Sequence, residues 1–536
     1  MIKRIKYLAI TIILSLLFLA GCQETIFTVS FDANGGLFDD TETWEITCQK
    51  NEEITLPIPQ RKGFVFKGWQ DELTKTLHEE KITIYKSLLL KALWEEDQTY
   101  FTEGLIFSLE NDCYTLTGYE GEDSKIVIPS VYQGKVVKAI GASAFEQSNF
   151  ITEVKIPETL EVISARAFYG CDSLSEVIIP NSVETLEKEA FAFCEGITQI
   201  TIPEKVKIIP NGLFANCTSL TNVFLPNGIT IIENSAFINC LKLSNIVFPP
   251  DLKIIEGYAF KDCWELPNLI FPEGLQAIGD YAFSGCVDVE SIILPQSLET
   301  IGEKTFAYLG KITVVTLPEN IHKIGPFAFV GCKSIERFEL SSNNAFYSVT
   351  EGNLYSKDGK VLLQAAPNQQ INSFVVADNV EEIAEFAFAY GNFIEIIIPE
   401  NVKSIGNYAF LYCEVLKTVI LPTSINKIAN HMFENCTSLE TITLPSTVTQ
   451  VGEYAFVNCT SLKEFKVHSN LKRIEQFAFN NCVSLKEIYI PNTIEYMGWY
   501  SFRGCFDLIV KCEASSKPSK WNGGWAIDVK EVIWGA

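Results

Sequence analysis

Phenylalanine returns every 23 residues along most of this chain. It stands at 145, 168, 191, 214, 237, 260, 283, 306 and 329 and, after a gap, at 388, 410, 433, 456, 479 and 502, with one step of 22. Cys follows three residues after Phe at Cys171, Cys194, Cys217, Cys240, Cys263, Cys286, Cys332, Cys413, Cys436, Cys459, Cys482 and Cys505, and Pro keeps its own phase at Pro180, Pro203, Pro226 and onward. Self-similarity at such a period is the mark of a repeat architecture. Within one unit, Leu174, Val177 and Ile179 alternate like a short strand. Pro180 lacks an amide to donate and ends it. Val183, Leu186, Ala190 and Phe191 then carry the chain through a turn or a helical return to the next parallel strand. One unit cannot bury its apolar face, whereas stacked units bury a continuous core. The chain is therefore expected to be a repeat solenoid, whose growth in one dimension removes the need to divide 536 residues into several globular domains.

The full unit reads Cys-x-x-Leu-x-x-Ile-x-Ile-Pro-x-x-Val-x-x-Ile-Gly-x-x-Ala-Phe. It resembles the repeat of the BspA-like leucine-rich-repeat surface proteins of bacteria, over 114–536. That resemblance implies a leucine-rich-repeat solenoid with repeats at 141–340 and 376–506, closed at both ends. Residues 101–140, with Tyr114, Tyr119, Pro129 and Ile140-Gly141, look like its N-terminal cap. Residues 507–536, with Cys512, Pro518, Trp521, Trp525 and Trp534, look like its C-terminal cap. Between the two repeat blocks, 341–375 holds alternating runs on either side of Asp358-Gly359, a hairpin signal. It is expected to be an inserted hairpin within one continuous solenoid.

Residues 26–94 lack the repeat. Phe27, Phe31, Asn34-Gly35-Gly36, Pro57, Pro59, Gly63-Phe64, Phe66, Gly68-Trp69, Ala92 and Trp94 resemble the internalin-type B-repeat, also called the Listeria-Bacteroides-type repeat. The resemblance implies a small β-grasp-like module serving as a spacer or surface interaction unit. Asn34-Gly35 is a turn signal, and Phe64, Phe66 and Trp69 are expected in the core. Residues 95–100 read as a polar linker.

The first residues give an address. Lys3, Arg4 and Lys6 precede an apolar run over 8–19, and Leu19-Ala20-Gly21-Cys22 follows. This is the pattern of a secretory signal peptide over 1–21. Its end resembles a bacterial lipobox, which implies that Cys22 is acylated and that 22–25 form the lipidated N-terminus; the alternative is an ordinary signal peptide with a chance Cys. Stable anchoring takes more than one acyl chain, which the implied diacylglyceryl group supplies. The expected place is the extracellular face of the cell membrane, or the outer membrane where one exists. The formal charge of −24 becomes more negative by three once Lys3, Arg4 and Lys6 are removed. Such a balance argues against nucleic acid and against docking on anionic lipid, which leaves the anchor as the membrane contact. It permits a basic partner or divalent cations.

No constellation for chemistry stands out. His78, His322, His431 and His468 fall at unrelated positions, and no phosphate loop, His-Glu-x-x-His or calcium-loop pattern occurs. No catalytic residue, cofactor or metal is assigned, and an enzyme is the least favoured class. Asn216, Asn435 and Asn458 open Asn-Cys-Thr triplets, but the repeat's own Cys phase accounts for these. Stacked cysteines with parallel Cβ vectors fail the roughly 3.8 Å Cβ separation of a disulfide. The twelve ladder cysteines are therefore expected to be reduced, buried thiols.

Residues two and four before Pro should face away from the core. The first position gives an apolar stripe, Phe224, Val247, Ile270 and Ile293, and the second a polar row, Asn222, Asn245 and Asn268, on the concave sheet. Two readings fit. β-Branched residues suit strands whatever they do, and contiguous exposed apolar surface marks interaction sites. The function classes that follow are a surface adhesin binding an extracellular or host protein, and a structural surface-coat protein without a specific ligand. The address itself is testable: labelled fatty acid should enter the wild-type chain and not Cys22→Ser, and equal labelling of both would refute the lipid anchor.

Overall fold

The computed structural model describes residues 25–97 and 99–536; the signal peptide expected over 1–21 and the lipid site expected at Cys22 lie outside the described residues. The chain divides into two compact units, the second beginning at Thr102.

The first unit is a five-stranded sheet in the order Thr43–Gln49, Ile26–Asp32, Leu88–Glu96, Phe64–Asp71 and Leu77–His78. The first and last long strands are its parallel central pair, and the other pairings are antiparallel. No helix occurs among the described residues. Val29, Phe31, Trp69, Ile84, Leu90 and Ala92 form its buried centre. Asn34 and Gly35 turn the chain with φ of 50° and 83°. The aromatic expectation needs one correction. Trp69 is fully buried, but Phe64 and Phe66 are half-buried. Strict alternation would set Trp69 opposite Phe66. A register shift between Phe66 and Gly68, where Gly68 has φ 134°, brings the two rings together instead, edge to face at 5.4 Å. Phe64 lies under the Arg61 guanidinium at 3.9 Å.

The second unit is a solenoid of stacked coils. One ladder is the predicted strand: Glu153–Lys155, Glu176–Ile178, Gln199–Thr201, Asn222–Phe224 and their successors run parallel, Val154 facing Val177 and Val223 facing Ile246. The return is not helical. It contains a second parallel ladder of two-residue strands, Val162–Ile163, Thr185–Leu186, Ile208–Ile209, Ile231–Ile232 and so on, with Ile232 facing Ile255 and Ile255 facing Ile278. A third set of inter-coil bonds follows at the Phe. Lys304, Phe306 and Tyr308 donate their amides to the carbonyls of Pro326, Ala328 and Val330 at 3.1, 2.9 and 2.8 Å. A coil is thus triangular in its bonding, with three sides on which it can be tied to the next, although the first two ladders are interrupted at several coils.

The Phe side chains fill the interior as continuous stacks. Successive rings from Phe145 to Phe329 and from Phe388 to Phe502 lie nearly parallel, as between Phe237 and Phe260 and between Phe260 and Phe283, both at 5.1 Å. Hairpins and tryptophans cover the ends, because an end coil would otherwise expose this core. At the N-terminal end Leu105–Glu110 pairs antiparallel with Cys113–Tyr119, which runs parallel to Lys135–Ile140. At the other end Trp525 sits edge-on to Phe502 at 6.1 Å and to Trp521 at 5.0 Å, and Trp521 Nε1 donates to the Ile494 carbonyl at 3.1 Å.

The insertion is a three-stranded antiparallel meander, Tyr347–Thr350, Asn353–Ser356 and Val361–Gln364, and its last strand runs parallel to Glu382–Ile383. Gly359, at φ 71°, makes the second turn. Phe260 lies mid-stack and is fully buried. Phe260→Ala should therefore cost roughly 3–5 kcal/mol, read from denaturant melts of the whole chain, and an unchanged midpoint would contradict the stacked core.

Candidate interaction surface

Three side-chain systems stand out above the backbone: the thiol column inside, and an apolar row and a polar row on the first ladder.

The cysteines at the repeat positions are all free and buried. Each Sγ lies on the carbonyl of the Phe in the preceding coil: Cys171 on Phe145 at 3.1 Å, Cys240 on Phe214 at 3.2 Å, Cys332 on Phe306 at 3.0 Å and Cys505 on Phe479 at 3.2 Å. The same carbonyl takes the amide of its own coil's Cys, as when Cys194 N donates to Phe191 O at 3.3 Å. A thiol is small enough for the interior and still donates weakly, so it meets the carbonyl's second lone pair where Ala could not. Burial pushes Cys171, Cys217, Cys332 and Cys505 up to about 12 from an ordinary 9.0. Cys194, Cys240 and Cys263 go well above it for the same reason. These are protonated donors and not thiolate nucleophiles.

On the first ladder the stripe residues face solvent. Phe224 is 50% exposed, Val247 75%, Ile270 61% and Ile293 56%. The exposed Thr201 and Thr316 bracket the run in the neighbouring coils. Beside it lies the polar row. Asn245 Nδ2 donates to Asn222 Oδ1 at 3.0 Å, Asn222 Nδ2 to Thr221 Oγ1 at 2.8 Å, and Ser291 Oγ to Asn268 Oδ1 at 2.6 Å. One exposed aromatic escapes an analysis anchored on Pro. The residue after Cys is polar in early coils, as at Asp172, Glu195 and Thr218, but becomes Leu241, Trp264 and Val287 in the coils of Val247, Ile270 and Ile293. Trp264 and Val287 are 48% and 44% exposed. Reading that column down the repeats would have found it.

The histidines do not come together. His431 Nδ1 is 2.6 Å from Glu434 Oε2, between the rings of Tyr408 and Tyr454, while His322 lies 5.7 Å from the Phe346 ring. No group of three or more His, Cys, Asp or Glu among the described residues is placed to hold a metal ion. No helix among them is long and apolar enough to cross a membrane.

The BspA type leucine rich repeat region matches 138–266, 253–355 and 381–509, in six copies, which together make more than half of the chain. The chain belongs to the BspA-type leucine-rich-repeat family. The Listeria-Bacteroides repeat domain matches 27–92. Among solved structures, the leucine rich cell surface protein of Faecalibacterium prausnitzii A2-165 is similar with a TM-score of 0.51 at 22% identity, covering 80% of this chain and 97% of that one. A leucine-rich repeat protein of Bacteroides ovatus gives 0.44 at 23% identity, over 81% and 99%. The likeness to the first shows the shared fold. Two Evansella cellulosilytica proteins are 36% and 34% identical over 76 residues, which is 14% of this BspA-type chain and 11% and 8% of theirs, so the chain spans about a tenth of these curated relatives.

The thiol column makes this BspA-type solenoid sensitive to alkali. The folded values of Cys171, Cys217, Cys332 and Cys505 lie above the ordinary 9.0, so their stabilisation is complete below about 9 and is lost as pH rises towards 12. Cys171, Cys217, Cys332 and Cys505 each give up about 1.4 kcal/mol per pH unit in that window. Melting temperature should fall steeply between about pH 9 and 11, and less steeply in Cys217→Ala. A flat profile across that range would show that the thiols ionise freely when folded.

Proposed function

We propose that this chain is a lipid-anchored protein of the bacterial cell surface that binds an extracellular or host protein through the first ladder. The single observation that carries the reading is the run Phe224, Val247, Ile270 and Ile293, exposed in four successive coils. Contiguous apolar surface of this kind marks interaction sites. Trp264 and Val287 add exposed apolar area in the same coils, and Trp is enriched among residues that dominate interfaces. Asn222, Asn245 and Asn268 supply directional hydrogen-bonding groups beside the apolar run. The anchor is assigned to Cys22, and the negative charge leaves that lipid as the route to the membrane.

One observation favours the second reading, a structural coat without a ligand. Ile178, Val375 and Ile420 are exposed at the same strand phase outside the run, as strand propensity alone would produce. The two readings separate on whether the wild-type chain binds a saturable partner, and one double variant tests whether the first ladder is the site. Phe224→Ala with Ile270→Asp should weaken binding of the mature ectodomain to host extracellular-matrix proteins or cells at least tenfold, or roughly 1.4 kcal/mol. Both side chains face solvent, so melting temperature should hold. Unchanged binding with unchanged melting would move the site to the insertion at 341–375, to Tyr489 or to the N-terminal module, whereas no saturable binding by the wild-type chain would remove the adhesin reading and favour the coat.

A further inference from the structure

The third set of inter-coil bonds fails at one place. In the regular coil, the amides of Lys304, Phe306 and Tyr308 reach the carbonyls of Pro326, Ala328 and Val330. One coil on, the amides of Phe327, Phe329 and Gly331 have no acceptor among the described residues. The insertion is the cause. The segment that follows offers this row Ala365, whose amide donates onward to the Ala387 carbonyl at 2.8 Å. Ala365 therefore stands where every other coil places Phe. The ring stack stops at Phe329 and resumes with Phe388 and Phe410. A cleft of about 360 Å³ results, lined by Phe327, Phe329, Leu354, Leu363, Gln364 and Glu385. Phe329, Leu354 and Gln364 are buried, and Glu385 is exposed.

We propose that this cleft binds a short, uncharged, extended peptide segment bearing one large apolar side chain. Elsewhere in the solenoid the same amides are met by carbonyls two residues apart on a neighbouring rung. The cleft is lined by two donors of that pattern, Phe327 and Phe329, and a backbone amide kept from water without an acceptor is unfavourable. Alternate carbonyls of an added strand would supply the acceptors, in the manner of strand addition to an open sheet edge. The apolar side chain seats in the cleft against Phe327, Phe329, Leu354 and Leu363. The Gln364 carboxamide is a neutral partner for a peptide group. Glu385 and the net negative charge disfavour a carboxylate or phosphate ligand. The volume lies in the range of small-ligand sites. The proposal is independent of the partner-binding reading of the first ladder.

Hydrogen–deuterium exchange on the full mature chain tests it, with acetyl-Ala-Phe-Ala-amide as the probe and octanoate as the carboxylate comparison. Without probe, 324–331 should exchange faster than its regular equivalent, 301–308. Millimolar tripeptide should slow 324–331 at least fivefold and leave 301–308 unchanged. Ala384 and Leu363 both line the cleft, so Ala384→Trp or Leu363→Trp should abolish that protection, whichever variant keeps the wild-type melting temperature. Equal and slow exchange of both segments without probe would mean that the amides are already satisfied, and the proposal fails. It fails equally if the tripeptide protects nothing, if protection survives in both filled variants, or if octanoate protects and the tripeptide does not, the last assigning the cleft to carboxylates.

Discussion

A coil of 23 residues cannot satisfy its own backbone. Its strands are two to four residues long, and they leave amides and carbonyls pointing along the solenoid axis with nothing inside the coil to meet them. The neighbouring coil meets them on three sides, and every other feature is subordinate to that stacking. Parallel Phe rings keep the spacing between coils. The ladder thiols fit because the Phe carbonyl, already bonded to one amide, still has a lone pair facing the next coil. Even the exposed rows follow, since coils in register set Phe224, Val247, Ile270 and Ile293 in line whether or not anything binds them.

This explains which parts of the fold could be read from residues. The Phe period and the Pro phase are side-chain patterns, and both the solenoid and the outward direction of the stripe came from them. The second ladder was hidden because its strands are so short that Val183 and Leu186 look like any apolar turn. The third bonded row leaves almost no trace. It joins amides and carbonyls across residues as different as Lys304, Tyr390 and His431, so backbone geometry makes it and composition does not. The thiol acceptor was illegible for the same reason: parallel stacking argued against bridges, but a carbonyl has no letter in the sequence. Trp264 is legible in the column that follows each Cys, and the Phe66–Gly68 bulge breaks strict alternation. The cleft sits where a longer unit disguises Ala365 as the counterpart of Phe329.

The third row also imposes a strain that the sequence handles in different ways along the solenoid. Residues two before and two after each Phe are left-handed, among them Arg166, Ser235, Tyr408, His431, Tyr454 and Phe477, with φ from 53° to 58°. A side chain there costs roughly 1–2 kcal/mol, which glycine avoids. Gly212 and Gly285 take that route at two such places. In the last coils aromatic rings occupy the row instead. Phe386, Tyr408, His431, Tyr454 and Phe477 stack face to face, with centroids 4.3 to 4.8 Å apart. An aromatic pair adds about 0.5–1.5 kcal/mol beyond burial, comparable to the strain of one left-handed residue. Asn offers another route, since it tolerates this conformation well. Asn435, Asn458 and Asn481 form a hydrogen-bonded file at 2.7 and 2.9 Å.

Stability in a one-dimensional array is approximately a sum over coils and their interfaces, so the insertion matters out of proportion to its length. Between Phe329 and Phe388 the amide row and the ring stack are both broken, and side chains take over part of the connection. The Tyr347 hydroxyl accepts from the Ile324 amide at 2.9 Å. Phe327 packs edge-on against Phe386 at 4.3 Å. Ala307, Val330, Ala389 and Leu411 form a small buried cluster bridging the coils on either side. Backbone bonds also persist, from Phe338 to Gly352 and from Asn368 to Ile335, at 2.8 and 2.9 Å. Such contacts hold the two blocks in one unit without restoring the regular rung. A junction tied mainly by side chains can leave open the backbone donors that a regular interface pairs along the third row. A solenoid that bonds every coil to the next has no spare amide to offer a ligand, and the interruption supplies three, Phe327, Phe329 and Gly331, in one row.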